Sequence, residues 1–126
     1  MQKVTGIGGV FIKAQDPKSL AAWYEKHLGV EFGSQTYVGF DWINHNNPGK
    51  TGSTAFSFFK ESSTYFQPSE KTVMINFRVK NLDALLEELK KENVEIVGEP
   101  QQYEYGKFGW IMDPEGNKIE LWEPVD

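Results

Sequence analysis

The chain has 126 residues, of which 39% are hydrophobic and 14% aromatic, enough for a buried core in one domain or two small fused modules. Its formal net charge is −5 and no stretch is strongly basic, so we do not expect nucleic acid as a partner. No run of 18 apolar residues exists, so we expect no transmembrane helix and no membrane partner. The absence of cysteine excludes disulfides and thiol catalysis, and it fits a cytoplasmic protein.

The first half of the chain predicts one helix among several strands. Residues 6–14 have the composition of a strand. Asp16 followed by Pro17 predicts a helix start, because a carboxylate can cap the first turn and proline is favoured at its first position. Gly29 is expected to end this helix. Three further strands are predicted, at residues 30–32, 37–43 and 53–59.

The second half predicts the same order of elements. A strand is expected at residues 72–79, and Asn81 is expected to cap a helix. The apolar stripe of that helix consists of Leu82, Leu85, Leu86 and Leu89. A short strand is predicted at 93–97. The stretch 105–122 predicts a hairpin, because residues 113–117 (Asp-Pro-Glu-Gly-Asn) are strong turn formers.

Internal similarity between the halves supports a repeated fold. Residues 29–32 resemble 93–96, and residues 40–43 resemble 108–111. We therefore predict an α+β fold in which two βαβββ modules form a curved, mixed, eight-stranded sheet with the helices outside. The expected single domain spans residues 1–126, with module 1 at about 4–60, a link at 61–71 and module 2 at about 72–123. Tyr65 and Phe66 predict that the link packs against the rest of the protein.

Strand alternation places aromatic and polar side chains together on the predicted concave face. Large aromatic side chains around a few polar groups are typical of a small-molecule pocket, although these rings could instead fill the face with each other. The matched aromatic residues expected to point inward are Phe40, Trp42, Phe108 and Trp110. The candidate ligand pocket consists of Phe11, Trp42, Ser57, Met74, Asn76, Arg78, Trp110 and Glu120. Candidates for its mouth are Tyr65, Phe66, Tyr103 and Tyr105.

Glu120 is the candidate catalytic residue. The hairpin places it opposite Trp110, as one carboxylate among large aromatics. A carboxylate in apolar surroundings is suited to general acid–base work. The alternative is a structural ion pair of Glu120 with Arg78 or a lysine.

Two stretches resemble the vicinal oxygen chelate superfamily, which includes glyoxalase I, extradiol dioxygenases and the fosfomycin- and bleomycin-resistance proteins. They are residues 11–29, with a strand, an Asp, a helix and a terminal Leu-Gly, and residues 112–122, the closing hairpin. The resemblance implies the paired-module fold and a homodimer. It also implies four metal positions, one on the first and last strand of each module.

The four implied metal positions correspond here to Gly9, Ser57, Met74 and Glu120. Glycine has no side chain, a thioether is soft and a neutral hydroxyl is a poor ligand, so only Glu120 suits a hard divalent ion. Because a catalytic zinc usually has three protein ligands, we expect no metal cofactor at these positions. His27 is expected to pack on its helix. His45 is expected either in solvent or folded over the pocket.

The expected function is binding of a small organic molecule in the aromatic pocket without the metal of the superfamily, with catalysis open. One alternative is a metal-dependent, glyoxalase-type lyase or dioxygenase with shifted ligands, in which His45 takes part. Another is a resistance protein that sequesters a toxic drug. If the protein is an enzyme, lyase or isomerase-type chemistry is expected.

Overall fold

The computed structural model describes residues 3–44 and 48–125. These residues form seven strands and two helices. In chain order the elements are β1 (Val4–Ala14), α1 (Pro17–Leu28), β2 (Tyr37–Ile43), β3 (Thr51–Lys60), β4 (Val73–Val79), α2 (Leu82–Lys91), β5 (Gln101–Tyr103), β6 (Gly106–Met112) and β7 (Lys118–Pro124).

The strands form one mixed sheet in the order β2-β3-β1-β4-β7-β6-β5. In the first half β1 pairs in parallel with β3, which pairs antiparallel with β2. In the second half β4 pairs in parallel with β7, which pairs antiparallel with β6. The antiparallel pair β1–β4 joins the halves at the centre of the sheet. The predicted α+β fold with a curved mixed sheet is confirmed.

The sheet has seven strands in the described residues instead of the predicted eight. Residues 30–32 form no strand, because Phe32 is buried in the core under α1 while the backbone turns at Gly29 and Gly33, both with positive φ. Residues 93–97 contribute only an isolated bridge between Ile96 and Ile111. The short strand β5 therefore forms the edge of the second half.

Both helices begin at the predicted caps. The Asp16 carboxylate accepts a hydrogen bond from the Ser19 backbone N–H at 3.1 Å, and the Asn81 side chain accepts one from the Ala84 N–H at 3.1 Å. Gly29 ends α1 at φ 68°, a conformation that favours glycine. Neither described helix is long and apolar enough to cross a membrane.

Two hydrophobic clusters attach the helices to one face of the sheet. Under α1 the buried members are Ala14, Ala21, Phe32 and Phe58, and under α2 they are Val79, Leu82, Leu85, Leu86 and Leu121. Ile119 packs against the α2 cluster, and Leu121 belongs to it. Because side chains alternate along β7, Glu120 between them points to the opposite face.

The link (residues 61–71) crosses that opposite face and is packed, as predicted. Phe66 has no exposed surface, and its ring lies 5.3 Å from the ring of Phe59. Lys118 Nζ donates a hydrogen bond to the Tyr65 carbonyl oxygen at 2.7 Å. The link thereby holds the Tyr65 side chain beside Glu120.

Candidate functional site

The closing hairpin sets the position of the site. Asp113 Oδ1 accepts hydrogen bonds from the backbone N–H groups of Glu115 and Asn117, both at 2.9 Å. These bonds, that from Asn117 above all, lower the pKa of the Asp113 carboxyl group. The turn pairs Trp110 with Glu120, as predicted from the sequence. Trp110 Nε1 donates a hydrogen bond to Glu120 Oε2 at 2.8 Å.

Glu120 is only 2% exposed, and its carboxylate accepts hydrogen bonds from three neutral donors. Besides Trp110, the Tyr65 hydroxyl donates to Oε2. Asn76 Nδ2 donates to Oε1 at 2.7 Å, because the parallel β4–β7 register places Asn76 beside Glu120. Charge-assisted bonds of this kind offset the cost of burying a carboxylate.

Burial and the charge of Glu120 shift the pKa values of two neighbouring groups, Tyr65 and Lys118. Burial, with the charge and hydrogen bond of Glu120, raises the pKa of the Tyr65 hydroxyl well above its usual value of 10.0, so Tyr65 remains a protonated donor. Burial lowers the pKa of Lys118, an effect that the charge of Glu120 partly opposes. The Lys118 ammonium lies 5.2 Å from the Tyr65 ring centroid and 5.7 Å from that of Trp110.

The alternative of a direct ion pair between Glu120 and Arg78 or a lysine is not seen among the described residues, where neutral donors hold the carboxylate. Lys118 donates to the Tyr65 carbonyl oxygen. The Arg78 guanidinium lies between two indole rings, 5.4 Å from the centroid of Trp42 and 5.1 Å from that of Trp122. Lys118 is thus bonded to a carbonyl oxygen, and the Arg78 guanidinium has two ring faces among its contacts.

A cavity of about 480 Å³ opens beside Glu120. Most of its lining residues are aromatic. They are Gly8, Phe11, Ala55, Phe59, Tyr65, Asn76, Tyr103, Tyr105, Phe108, Glu120 and Trp122. The volume and the few polar groups at one end are typical of a small-molecule pocket.

The cavity includes part of the predicted pocket. Phe11, Asn76 and Glu120 line it, and Trp110 holds the carboxylate. The mouth residues Tyr65, Tyr103 and Tyr105 and the inward-pointing Phe108 line it too. Residues that were predicted for the pocket, its mouth or the inward set but do not line this cavity are Trp42, Ser57, Met74, Arg78, Trp110, Phe66 and Phe40.

Two of these differences have a local cause. The Trp42 indole N–H donates to Thr54 Oγ1 at 2.8 Å, and its ring lies against Gly52, where an added Cβ would approach it to 2.2 Å. Phe40 is 47% exposed on the edge strand β2. The sequence similarity to Phe108 and Trp110 therefore did not carry over to a shared cavity.

The strand register places Ser57 and Met74 beside Phe11 and not level with the Glu120 carboxylate. Both pair with Phe11, whereas Gly9 pairs with Ala55 and Asn76. Since Asn76 pairs in turn with Glu120, the residues level with the carboxylate are Gly9, Ala55 and Asn76. The four positions Gly9, Ser57, Met74 and Glu120 are therefore not at one level of the sheet, and Ser57 and Met74 lie two residues away.

A bulge in β1 also brings an unpredicted residue into the site. The pairing with β4 shifts between Ile7 and Gly9, which leaves Gly8 as an extra residue. A Cβ on Gly8 would lie 2.2 Å from Asn76 Oδ1, so this position needs glycine. The glycine-rich start of the chain was the available signal for this close approach.

Ala55, Phe59 and Trp122 were also missed. Trp122 shares a face of β7 with Glu120, and its ring stacks on Phe108 at 5.9 Å. Alternation along the closing hairpin therefore already contained the signal for Trp122. Ala55 and Phe59 share a face of β3 with the predicted Ser57, so the same alternation contained a signal for them.

The residues around Glu120 do not fit a divalent metal ion. The side chains level with it are an amide, a methyl group and no side chain at all, and both carboxylate oxygens already accept hydrogen bonds from the protein. Across residues 3–44 and 48–125, no group of three or more His, Cys, Asp or Glu side chains could hold a metal. His27 packs against the Trp23 ring at 4.8 Å on α1, as predicted. His45 lies outside the described residues.

Known proteins share this architecture. Methylmalonyl-CoA epimerase from Mycobacterium tuberculosis matches with a TM-score of 0.63 and 24% identity, over 100% of this chain and 92% of that chain. A Streptomyces coelicolor methylmalonyl-CoA epimerase in complex with 2-nitronate-propionyl-CoA matches with a TM-score of 0.67 and 16% identity, over 98% and 99%. A glyoxalase/bleomycin resistance protein/dioxygenase superfamily member from Vibrio splendidus 12B01 matches with a TM-score of 0.60 and 11% identity, over 93% of this chain and 97% of that chain. At these identities the likeness shows the fold.

Sequence comparison supplies the family. No curated protein matches the chain in sequence. The model of one family, however, matches residues 6–121, which include most of β1, both helices and the closing hairpin up to Leu121. The chain therefore belongs to the Glyoxalase/Bleomycin resistance protein/Dioxygenase superfamily.

Proposed function

We propose that this protein binds a small, mainly apolar organic molecule in the aromatic cavity and that it does so without a metal ion. The observation that carries the proposal is the environment of Glu120. Its buried carboxylate lies among aromatic walls and is held by Tyr65, Asn76 and Trp110. This is a preformed polar anchor inside an apolar pocket, the arrangement that fixes the orientation of a bound ligand.

The walls supply most of the binding surface. Phe59 and Tyr65 stack at 5.9 Å with an interplanar angle of 9°, and Tyr103 and Tyr105 stack at 5.5 Å with an angle of 13°. Flat rings held in this way offer contact area without a large loss of side-chain entropy. The cavity therefore favours a ligand with a flat apolar body.

The metal-free part of the proposal rests on the donor set. Glu120 would be the single carboxylate ligand, and a metal would have to displace the hydrogen bonds from Asn76, Trp110 or Tyr65. One carboxylate with water does not hold a divalent ion tightly. We therefore expect chelated protein to bind its ligand as well as untreated protein.

The test of metal dependence is elemental analysis after chelation and re-addition of Zn²⁺, Ni²⁺, Mn²⁺ or Fe²⁺. We expect less than stoichiometric metal with each ion, and an unchanged melting temperature after chelation. A stoichiometric ion that is lost on Glu120→Gln substitution would contradict the metal-free proposal.

The test of binding is ligand-observed NMR with a set of neutral aromatic fragments. Tyr105 lines the cavity and is 60% exposed, whereas Tyr37 lies on β2 and is 58% exposed, so the two give a matched pair of alanine variants. We expect Tyr105→Ala to weaken fragment binding and Tyr37→Ala to leave it unchanged. Equal binding by both variants, or no binding by the native protein, would overturn the proposal.

A further inference from the structure

We infer that the cavity selects an organic cation that carries an N–H group, such as a protonated amine or an amidinium on a flat apolar body. The inference rests on the proposed function and specifies its ligand class. Two acceptors with unmet capacity carry it, Asn76 Oδ1 and the carboxylate of Glu120.

The first acceptor is the side-chain oxygen of Asn76. The amide must turn its NH₂ group to Glu120, because a carboxylate only accepts, and this leaves Oδ1 directed toward Gly8. Asn76 is 2% exposed and lines the cavity, and its Oδ1 has no hydrogen-bond partner within the part of the chain that the structure describes. A buried acceptor without a partner is costly, so a ligand donor at this point would gain a bond that the free protein lacks.

The second acceptor is Glu120, whose carboxylate accepts no hydrogen bond from a cation within residues 3–44 and 48–125. Tyr65, Asn76 and Trp110 are neutral donors, and they occupy three of the roughly four lone-pair sites of a carboxylate. Lys118 adds positive charge nearby, but its Nζ donates to the Tyr65 carbonyl oxygen. A cation in the cavity would therefore meet an anionic end with acceptor capacity.

The aromatic walls of the cavity also favour a positively charged ligand. Aromatic ring faces attract cations, and the cavity has Phe11, Phe59 and Trp122 among its walls. Among the described lining residues, none is a lysine or an arginine. An anionic ligand would therefore meet the Glu120 carboxylate with no cationic side chain in the cavity wall to offset the repulsion.

Four probes of similar shape separate charge from hydrogen bonding. Benzamidine carries a positive charge and N–H donors, benzamide has donors without charge, phenyltrimethylammonium has charge without a donor, and benzoate is an anion. By calorimetry on the native protein we expect benzamidine to bind at least ~10-fold more tightly than benzamide, phenyltrimethylammonium to fall between them, and benzoate not to bind.

One variant pair assigns the effect to the site. Glu120→Gln should reduce the ratio of the affinities for benzamidine and benzamide to about one, whereas Asp41→Asn, a matched acid-to-amide change on the exposed strand β2, should leave this ratio unchanged.

Equal affinity for benzamidine and benzamide in the native protein overturns the inference but not the proposed function. If neutral fragments bind and benzamidine does not, the inference is likewise overturned and the proposed function is not. Failure of every probe and every fragment overturns both.

Discussion

The chemistry of the site depends on the groups that donate hydrogen bonds to the Glu120 carboxylate. Its carboxylate is buried, yet its partners donate from three separate places: Asn76 from β4, Trp110 from β6 and Tyr65 from the link. Two of the donors also pack against each other, since the Tyr65 and Trp110 rings make an edge-on contact at 6.3 Å. Removing one donor should therefore cost stability as well as binding.

Tyr65→Phe tests this cost. The substitution keeps the ring but removes the hydroxyl that donates to Glu120, so we expect a loss of about 1–3 kcal/mol in the free energy of unfolding. Urea denaturation at neutral pH measures it. Tyr37→Phe on the exposed edge strand is the matched control and should have little effect. A neutral result for Tyr65→Phe would show that the hydroxyl bond adds nothing.

Gly8→Ala tests the close approach beside Asn76. The new Cβ would lie 2.2 Å from Asn76 Oδ1, so one of the two must move, and overpacking of this kind costs about 1–3 kcal/mol. Gly49→Ala is the control, because a Cβ there meets nothing within 4 Å and its φ is not left-handed. We expect that variant to be unchanged or stabilised by up to about 1 kcal/mol in the same urea assay. Equal stability of the two variants would rule out this steric role for Gly8.

At this scale the sequence allowed only part of the site to be predicted. Glu120 and Trp110 were placed correctly because a local turn sets their pairing. Ser57 and Met74 lie beside Phe11 and not level with Glu120, and this level depends on how β1 pairs with β3 and β4. No local pattern reports a long-range register.

The helices and strands show the same difference between local signals, which the sequence contains, and long-range pairing, which it does not reveal. Caps and turns are local chemistry, so both helix starts and the hairpin were predicted. The edge strand β5 was not, because its residues become a strand only by pairing with β6. Residues 30–32 have strand composition, but burial of Phe32 under α1 prevailed over that preference.

The two helix caps should differ in their response to pH. Asn81→Ala removes a cap that does not ionise, and we expect a loss of about 0.5–2 kcal/mol at every pH. Asp16→Ala removes an ionised cap. Hydrogen bonds from Ser19 lower the pKa of Asp16 below the ordinary 3.8, so its stabilising contribution is complete above that value and is lost as the pH falls through the lower, folded-state pKa.

The measurement is urea denaturation of both variants and the native protein from neutral pH down to below pH 3.8. The deficit of Asp16→Ala should shrink at the acid end, while that of Asn81→Ala should stay constant. A constant deficit for both would mean that the Asp16 charge does not contribute to its cap.

Both halves of the chain contribute residues to the cavity. Phe11 and Ala55 come from β1 and β3, whereas Asn76 and Glu120 come from β4 and β7. The β1–β4 pairing joins these groups, and the link adds Tyr65. A repeat of two modules was visible in the sequence, but its cavity required the junction between them. Stability and site formation are therefore coupled through the central strands and the link.

This coupling predicts a loss of stability in alkali. Burial and the charge of Glu120 raise the pKa of Tyr65 in the folded protein above its unfolded value of 10.0. A group with a raised folded-state pKa stabilises fully below the unfolded value and loses that contribution as the pH rises beyond it. The native protein should therefore lose its advantage over Tyr65→Phe as the pH rises above 10.0.

Two measurements check this prediction together. Urea denaturation from neutral pH to above pH 10.0 should show the stability gap between native protein and Tyr65→Phe closing, whereas the gap for Tyr37→Phe stays flat. Ultraviolet titration of the five tyrosines should show one phenol that ionises only when the fold is lost, and this late step should be absent in Tyr65→Phe. Ionisation of Tyr65 near pH 10.0 in the folded protein would contradict its hydrogen bond to an ionised Glu120, because the link would then hold a phenolate beside a carboxylate.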